Sequence, residues 1–302
     1  MNALAEDMTG MRGETRYQEP MSRHTTWRVG GPARVYYQPA DLSDLQDFLQ
    51  QLDPAETLVW VGLGSNLLVR DGGIDGVVIA PFAGLNELAL QVDGSIRAEA
   101  GVACNKVARF AAKQGLVGGE FLAGIPGTMG GALAMNAGAW GGDTWSHVRA
   151  VETLDRQGRL HTRTPQEYDI AYRHVVGPAD EWFVAAHLRF ARGDVDAAQA
   201  RIRTLLEQRS ATQPSNMPSC GSVFRNPPGD HAARLIEACG LKGYCVGEAC
   251  VSEKHANFII NTGAARATDI ETLIARVQSL VEQHFNIRLQ PEVRIIGEAL
   301  ST

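Results

Sequence analysis

Apolar residues at Leu42, Leu45, Phe48, Leu49 and Leu52 recur at helical spacing behind Asp41, which predicts an amphipathic helix with Asp41 as its N-cap. Short β-branched and aromatic runs flank it: Arg34–Gln38 before, Leu58–Gly62 and Gly76–Ala80 after. Each predicts a strand, so the segment reads as a strand–helix–strand unit closed by the glycine-rich turn after Val61. Ser95–Ala100 predicts a further strand, and Asn105–Gln114 a helix that stops at Gly115. Beyond residue 150 the pattern changes. Val151–Asp155 and Arg159–Arg163 flank Arg156-Gln157-Gly158 as a hairpin, and Phe183–Ala191 predicts a strand. A helix over Val195–Ser210 then presents Val195, Ala198, Ile202, Leu205 and Leu206 on one face. The polar stretch Ala211–Ser219, with Pro214 and Pro218, interrupts the pattern as a domain boundary does. A second α/β segment follows. It holds a helix over Asp230–Cys239 ending at Gly240, a strand at Phe258–Thr262, a long helix through Ile270, Leu273, Ile274, Val277, Leu280 and Val281, and a closing strand at Val293–Gly297. Thr268 or Asp269 is the expected cap of the long helix. Residues 1–20 read as a loose arm.

Composition narrows the classes. The chain has 302 residues, 44% hydrophobic and 21% charged, enough for two or three modest domains with real cores. Its polar N-terminus lacks a secretory h-region and no apolar run is long enough to span a bilayer, so a cytoplasmic protein is expected. The balance of 28 basic against 34 acidic residues gives −6, with no basic run. That argues against nucleic acid or an anionic membrane as a partner, since phosphate backbones demand clustered cations. Five cysteines with no C-x-x-C pair argue against a disulfide framework or a zinc ribbon. Cys104, Cys239, Cys245 and Cys250 are expected as reduced, buried thiols, and Cys220 as an inert one. No metal site is expected. The absence of a sustained apolar surface stripe points to a monomer or a weak dimer.

Glycine changes the picture most. There are 32, about a tenth of the chain against a usual share of about 7%, and 18 of them fall between Gly62 and Gly142. Such density implies backbone passing close to something bulky or phosphorylated. Gly62-Leu63-Gly64-Ser65-Asn66 follows a buried strand, as a pyrophosphate-cradling turn does. It lacks the third glycine of G-x-G-x-x-G and leads into no obvious helix, which disfavours a Rossmann domain, and alone it is equally a plain turn. Gly124-Ile125-Pro126-Gly127-Thr128-Met129-Gly130-Gly131-Ala132, continuing to Asn136-Ala137-Gly138, has too little bulk to fill a core. A flat ligand against the backbone supplies the missing volume, and a dinucleotide or flavin suits both loops.

Three further segments carry chemistry-bearing side chains. In Pro218-Ser219-Cys220-Gly221-Ser222-Val223-Phe224-Arg225-Asn226-Pro227, Ser222 reads as a nucleophile, an acid or a structural turn residue, and the G-x-S-x-G elbow does not match. Tyr172-Arg173-His174 and Gln290-Pro291-Glu292 place an arginine and a glutamate at strand edges. Lys242, Lys254 and His255 default to solvated groups. Spacing alone joins none of these into one site.

Taken in order, TTWRVGGPA from Thr25, GLGSNLLV, GIPGTMGGALAMNAGAWG, GSVFRNP, VSEKHANFIIN and QPEVRIIG resemble the UDP-N-acetylenolpyruvoylglucosamine reductases (UDP-N-acetylmuramate dehydrogenases), in the shorter type without an inserted Tyr-bearing loop. The resemblance runs from about Arg23 to Gly297. It implies an α+β protein with a two-part FAD-binding region of the vanillyl-alcohol-oxidase-like (PCMH-type) kind and a C-terminal α/β substrate domain. The expected division is an arm at 1–20, FAD subdomains at 21–85 and 86–210, and the substrate domain at 211–302. The resemblance also implies non-covalent FAD, NADPH as electron donor, and reduction of UDP-N-acetylglucosamine enolpyruvate in peptidoglycan synthesis. It assigns Gly62, Gly64, Ser65, Asn66, Gly124, Ile125, Gly127, Thr128, Asn136, Ala137 and Gly138 to the cofactor. Ser222 becomes the proton donor to C2, with Arg173 and Glu292 beside the charge that develops there. Arg225, Asn226, Lys242 and His255 become substrate contacts. Val175 stands where many relatives carry serine, and Glu248 where a second glycine is common. Two rival readings remain: an FAD-dependent oxidase or dehydrogenase of the same superfamily acting on an alcohol or lactone, and a non-catalytic flavin or nucleotide-sugar binder. The first is disfavoured because neither glycine loop holds a histidine for covalent flavin, the second because a binder needs no proton donor.

Overall fold

The computed structural model describes residues 10–300 and divides into two compact units. The first takes the stretch ending at Arg16, Val35–Gly62 and Gly76–Glu207; the second takes Tyr17–Arg34, Leu63–Asp75 and the chain from Gln208 onward.

In the first unit the predicted strand–helix–strand segment forms. Strand Leu58–Trp60 lies parallel to Ile74–Ile79 in a four-stranded sheet whose order is Glu14–Pro20, Pro32–Gln38, Ile74–Ile79, Leu58–Trp60. Helix Leu42–Gln51 covers it, capped as expected by Asp41, whose carboxylate accepts from Asp44 N. Its apolar face buries Leu45, Phe48 and Leu49 against Val35, Tyr37, Val77 and Ile79. Of the segment read as a loose arm, residues 1–9 lie outside the described residues, while Glu14–Pro20 is a strand. The anchor just before it is polar and so has no hydrophobic signature: the Arg12 guanidinium forks onto the Asp41 carboxylate with both contacts at 2.6 Å.

A second sheet in this unit is wholly antiparallel, in the order Leu160–Arg163, Val148–Asp155, Glu181–Leu188, Ile96–Glu99, Leu88–Leu90. The predicted hairpin around Gly158 supplies its first two strands. Ala98, Val151 and Ala186 join a core with helix Cys104–Lys113, while alternate positions form a polar cluster. There Glu152 accepts from Arg97 and bonds His187, each at 2.7 Å.

In the second unit helix Ala267–Phe285 packs its Ile270, Leu273, Ile274, Val277 and Val281 into a core shared with Ala249, Val251 and Ile259. Those strand residues belong to the sheet Cys245–Val246, Ala249–Val251, Ile259–Asn261. Trp27 is fully buried in the same core; its indole N–H donates to Ile259 O at 2.7 Å, and Asn261 Nδ2 donates back to Trp27 O at 2.9 Å. Strand Arg294–Ile296 pairs in parallel with Leu67–Val69. The long helix starts earlier than its expected cap. Arg266 is the N-cap residue, and the orphan N–H groups of Ala267 and Thr268 donate instead to the Asp71 carboxylate at 3.0 and 2.9 Å.

The cysteine expectation needs correcting. Cys245 and Cys250 form a disulfide. They face each other directly across the hairpin, with Cα atoms 4.1 Å apart at the close pairing of an antiparallel ladder. Cys104, Cys220 and Cys239 are free, and Cys104 and Cys220 are buried. A thiol reagent applied to the unfolded, unreduced protein therefore titrates three groups, and five after reduction; five before reduction would contradict the bridge.

One buried carboxylate predicts the acid behaviour of the first unit. Asp44 is 2% exposed and accepts from Tyr37 Oη at 2.5 Å, Arg12 N at 2.7 Å and Ala40 N at 2.9 Å. Burial alone would raise its pKa; the hydrogen bonds from Tyr37, Ala40, Arg12 and Gly13 outweigh that and hold it below the ordinary carboxylate value. A pKa depressed in the folded state means the stabilisation is complete above the unfolded value and is lost as pH falls through the folded one. Asp44→Asn should cost about 2 kcal/mol at neutral pH. It should also flatten the loss of stability below about pH 4, as followed by urea unfolding across pH. An unchanged acid limb would show that another group controls it.

Candidate active site

In the first unit Gly62 meets the second glycine loop. Gly62 lies so close to Thr128 that a Cβ there would sit 2.6 Å from Thr128 Oγ1. Thr128 is buried and caps the short helix Met129–Ala134, accepting from Gly131 N at 3.5 Å. Backbone bonds tie the second loop down: Cys104 N donates to Gly127 O at 3.0 Å, and Met129 N to Val102 O at 2.8 Å. Gly131 stays exposed, and a Cβ there would meet nothing nearer than Thr128 Oγ1 at 3.8 Å. The result is bare backbone held rigid on one side and open on the other, a cradle that side chains would fill. That suits a flat, phosphate-bearing group.

Asn136 and Arg173 are brought together a short way along. Both have left-handed backbones, at φ +44° and +54°. Asn136 is buried; its Oδ1 accepts from Trp145 N at 3.0 Å and its Nδ2 donates to Ala171 O at 3.3 Å. Arg173 sits in the tight turn between strands Asp169–Ala171 and His174–Val176. From there its guanidinium reaches Asn136 O at 3.2 Å and Gly138 O at 2.9 Å. Ala137 is tied down by Thr144, whose Oγ1 donates to Ala137 O at 2.6 Å. Val175, which stands in place of serine, packs partly buried against the core of this unit.

In the second unit three distant stretches converge. Glu292 N donates to Val223 O at 2.7 Å, and Phe224 and Pro291 form an isolated bridge, so the Ser222 and Glu292 segments lie side by side. Asn66 joins them: its Nδ2 donates to Glu292 O at 3.1 Å and its carbonyl accepts from Arg294 N at 3.1 Å. Gly64 is left-handed at φ +61° and passes against the His24 carbonyl, where only glycine fits. Ser65 is half-buried. Ser222 is half-buried and follows Gly221, at φ +81°. Below it Cys220 is buried, and burial together with the Glu292 charge pushes its thiol well above the ordinary value, so it is an inert group.

The remaining candidates hold varied positions. Arg225 Nε is buried with no hydrogen-bond partner among the described residues, while Arg225 N donates to Gln290 O at 2.9 Å. Asn226 caps the helix Ala232–Ala238 by accepting from Ala232 N at 3.1 Å. Lys242 is engaged by Glu237 at 2.7 Å. His255 rests against Phe258 with ring centroids 4.7 Å apart; burial, helped by the Lys242 charge, lowers its pKa and keeps it neutral. Glu248 accepts from Thr262 Oγ1 at 2.6 Å, an exposed structural contact. Sequence reading did not pick out Asp71, Trp145 or Trp140; Asp71 is missed because its partners are the backbone N–H groups of Ala267 and Thr268, far along the chain.

A glycine cradle of this kind suits a flat, phosphate-bearing cofactor, and the class is that of the FAD-dependent oxidoreductases: residues 33–164 match the family model for an FAD binding domain. Residues 213–296 match that for the C-terminal domain of UDP-N-acetylenolpyruvoylglucosamine reductase. The chain is 60% identical to the UDP-N-acetylenolpyruvoylglucosamine reductase of Alkalilimnicola ehrlichii over 290 residues, covering 96% of this chain and 97% of that one. It is likewise 60% identical to that of Methylococcus capsulatus, over 95% of each. Among solved structures it is similar to the reductase of Thermus caldophilus, with a TM-score of 0.81, 33% identity, and 94% and 99% of the two chains covered. The chain belongs to the UDP-N-acetylenolpyruvoylglucosamine reductase family. FAD is its cofactor. No described helix is long and apolar enough to cross a membrane.

Proposed function

We propose that the chain reduces UDP-N-acetylglucosamine enolpyruvate to UDP-N-acetylmuramate with NADPH, in the cytoplasm, as a step of peptidoglycan precursor synthesis. The observation that carries the mechanism is the hydrogen-bonded pairing of the Ser222 and Glu292 segments, 2.7 Å from Glu292 N to Val223 O. FAD, when bound, would supply two-electron hydride chemistry between NADPH and C3 of the enolpyruvyl group. Gly62, Gly64, Ser65 and Asn66, with Gly124, Ile125, Gly127 and Thr128, would hold the cofactor's pyrophosphate, and Asn136, Ala137 and Gly138 would serve its flavin.

Everything else falls to side chains. Hydride at C3 leaves carbanion character at C2, delocalised into the carboxylate, and that charge needs stabilisation placed in advance. Arg173 supplies it as a guanidinium already oriented by the carbonyls of Asn136 and Gly138. Glu292 lies beside that charge, on the segment paired with the one that carries Ser222. Ser222 then gives the proton to C2, so that hydride and proton together saturate the double bond. Serine is a weak acid, so the step needs the adjacent charge and a route by which the hydroxyl recovers its proton. Arg225, with its buried unpartnered Nε, suits an anionic diphosphate, and Asn226, Lys242 and His255 complete the contacts to the nucleotide sugar.

Ser222→Ala separates the two halves of the reaction. In anaerobic stopped flow, NADPH should bleach the variant's flavin at the native rate. Recolouring by the enolpyruvyl sugar should slow by roughly 10²–10⁴-fold, the range for loss of a general acid. Native recolouring would remove Ser222 from the mechanism.

A further inference from the structure

Trp140 occupies a position that its chemistry does not favour. Strands Gly138–Ala139 and Gly142–Asp143 form a minimal hairpin, with Ala139 opposite Gly142, so Trp140 and Gly141 are its two turn residues. Both are left-handed, at φ +49° and +83°. Such a turn is met without strain by Asn-Gly or Gly-Gly, and a bulky aromatic at its first position is an outlier. The side chain is also 38% exposed, so burial of the ring does not explain it.

What the ring does touch is Gly124. A Cβ built on Gly124 would fall inside the Trp140 indole, against Cζ3 and Cη2. The contact is reciprocated: Phe121 lies on Gly142, where a Cβ would sit 2.7 Å from Phe121 Cδ1. The hairpin and the turn Glu120–Gly124 are thus clasped by two aromatic rings, each laid on a glycine of the other segment. One segment runs directly into Ile125-Pro126-Gly127-Thr128. The other begins with Gly138, whose carbonyl carries Arg173.

We propose that Trp140 is a positioning residue: its ring on Gly124 sets the spacing between the Gly124–Thr128 loop and the Asn136–Gly138 carbonyls that orient Arg173. Backbone strain at residue 140 persists because only a large flat side chain closes this gap. The proposal rests on the reading that the Gly124–Thr128 loop holds the FAD pyrophosphate.

Trp140→Gly removes the ring and relieves the backbone, so it separates positioning from stability. The apoprotein's melting temperature should be unchanged or higher, while FAD affinity, read from flavin fluorescence, falls about tenfold, within the range of couplings between contacting groups. Trp140→Phe should restore most of the affinity. Gly124→Ala, which displaces the ring, should weaken FAD similarly, and the double variant Gly124→Ala/Trp140→Gly should be no worse than the weaker-binding single one. Native FAD affinity in Trp140→Gly, or losses that add in the double variant, would overturn the proposal, as would a lower melting temperature with unchanged affinity. Gly127→Val, inside the loop itself, tells the two failures apart. If it weakens FAD while Trp140→Gly does not, only the positioning role falls; if it leaves affinity native, the loop reading falls and the proposal with it.

Discussion

Three stretches of chain are joined in the second unit by a short series of hydrogen bonds centred on Glu292. Its N–H donates to Val223 O, its carbonyl accepts from Asn66 Nδ2, and two residues on Arg294 N donates to Asn66 O. Asn66 and Glu292 are 226 residues apart in sequence. Closing so long a separation carries an entropic cost that the surrounding core must offset. Trp27 does much of this, since its buried indole and the Asn261 amide lock the N-terminal stretch onto the strand Ile259–Asn261. Ser222 inherits its place from this arrangement and from Asn257, whose carbonyl accepts from Val223 N at 2.9 Å and whose side chain bonds Phe224 N and O at 3.0 and 2.8 Å.

The first unit solves a different problem. It must keep backbone exposed to a ligand without letting the loops collapse, and it does so with contacts that forbid side chains. Thr128 stands against Gly62, and Trp140 against Gly124, so glycine at each position is a requirement of space. Arg173 and Asn136 then bind one another's segments through carbonyl groups, and both accept left-handed backbones to do so. Strain gathered around one network is what a site held in advance for a reaction looks like.

Local features were legible in the sequence because their causes are local. Asp41 caps the helix it precedes, the hairpin around Gly158 forms where the alternation breaks, and the long C-terminal helix follows its apolar stripe. What was not legible depends on partners far along the chain. The cap of the long helix comes from Asp71, 197 residues before Thr268, which no pattern around Thr268 reveals. Strand Glu14–Pro20 is missed because Arg12, just before it, is anchored by charge. The Cys245–Cys250 bridge follows from hairpin register, which cysteine counting does not see. The candidate site divides the same way: the glycine loops announce themselves by composition, whereas Ser222, Arg173 and Glu292 are ordinary residues whose grouping only the resemblance of whole motifs suggested.

The most direct test is an anaerobic absorbance titration of the purified protein. The account predicts a yellow protein that NADPH bleaches and that regains its colour, mole for mole, on adding UDP-N-acetylglucosamine enolpyruvate in the absence of oxygen. A reduced protein that ignores the enolpyruvyl sugar and recovers colour only in air would contradict it.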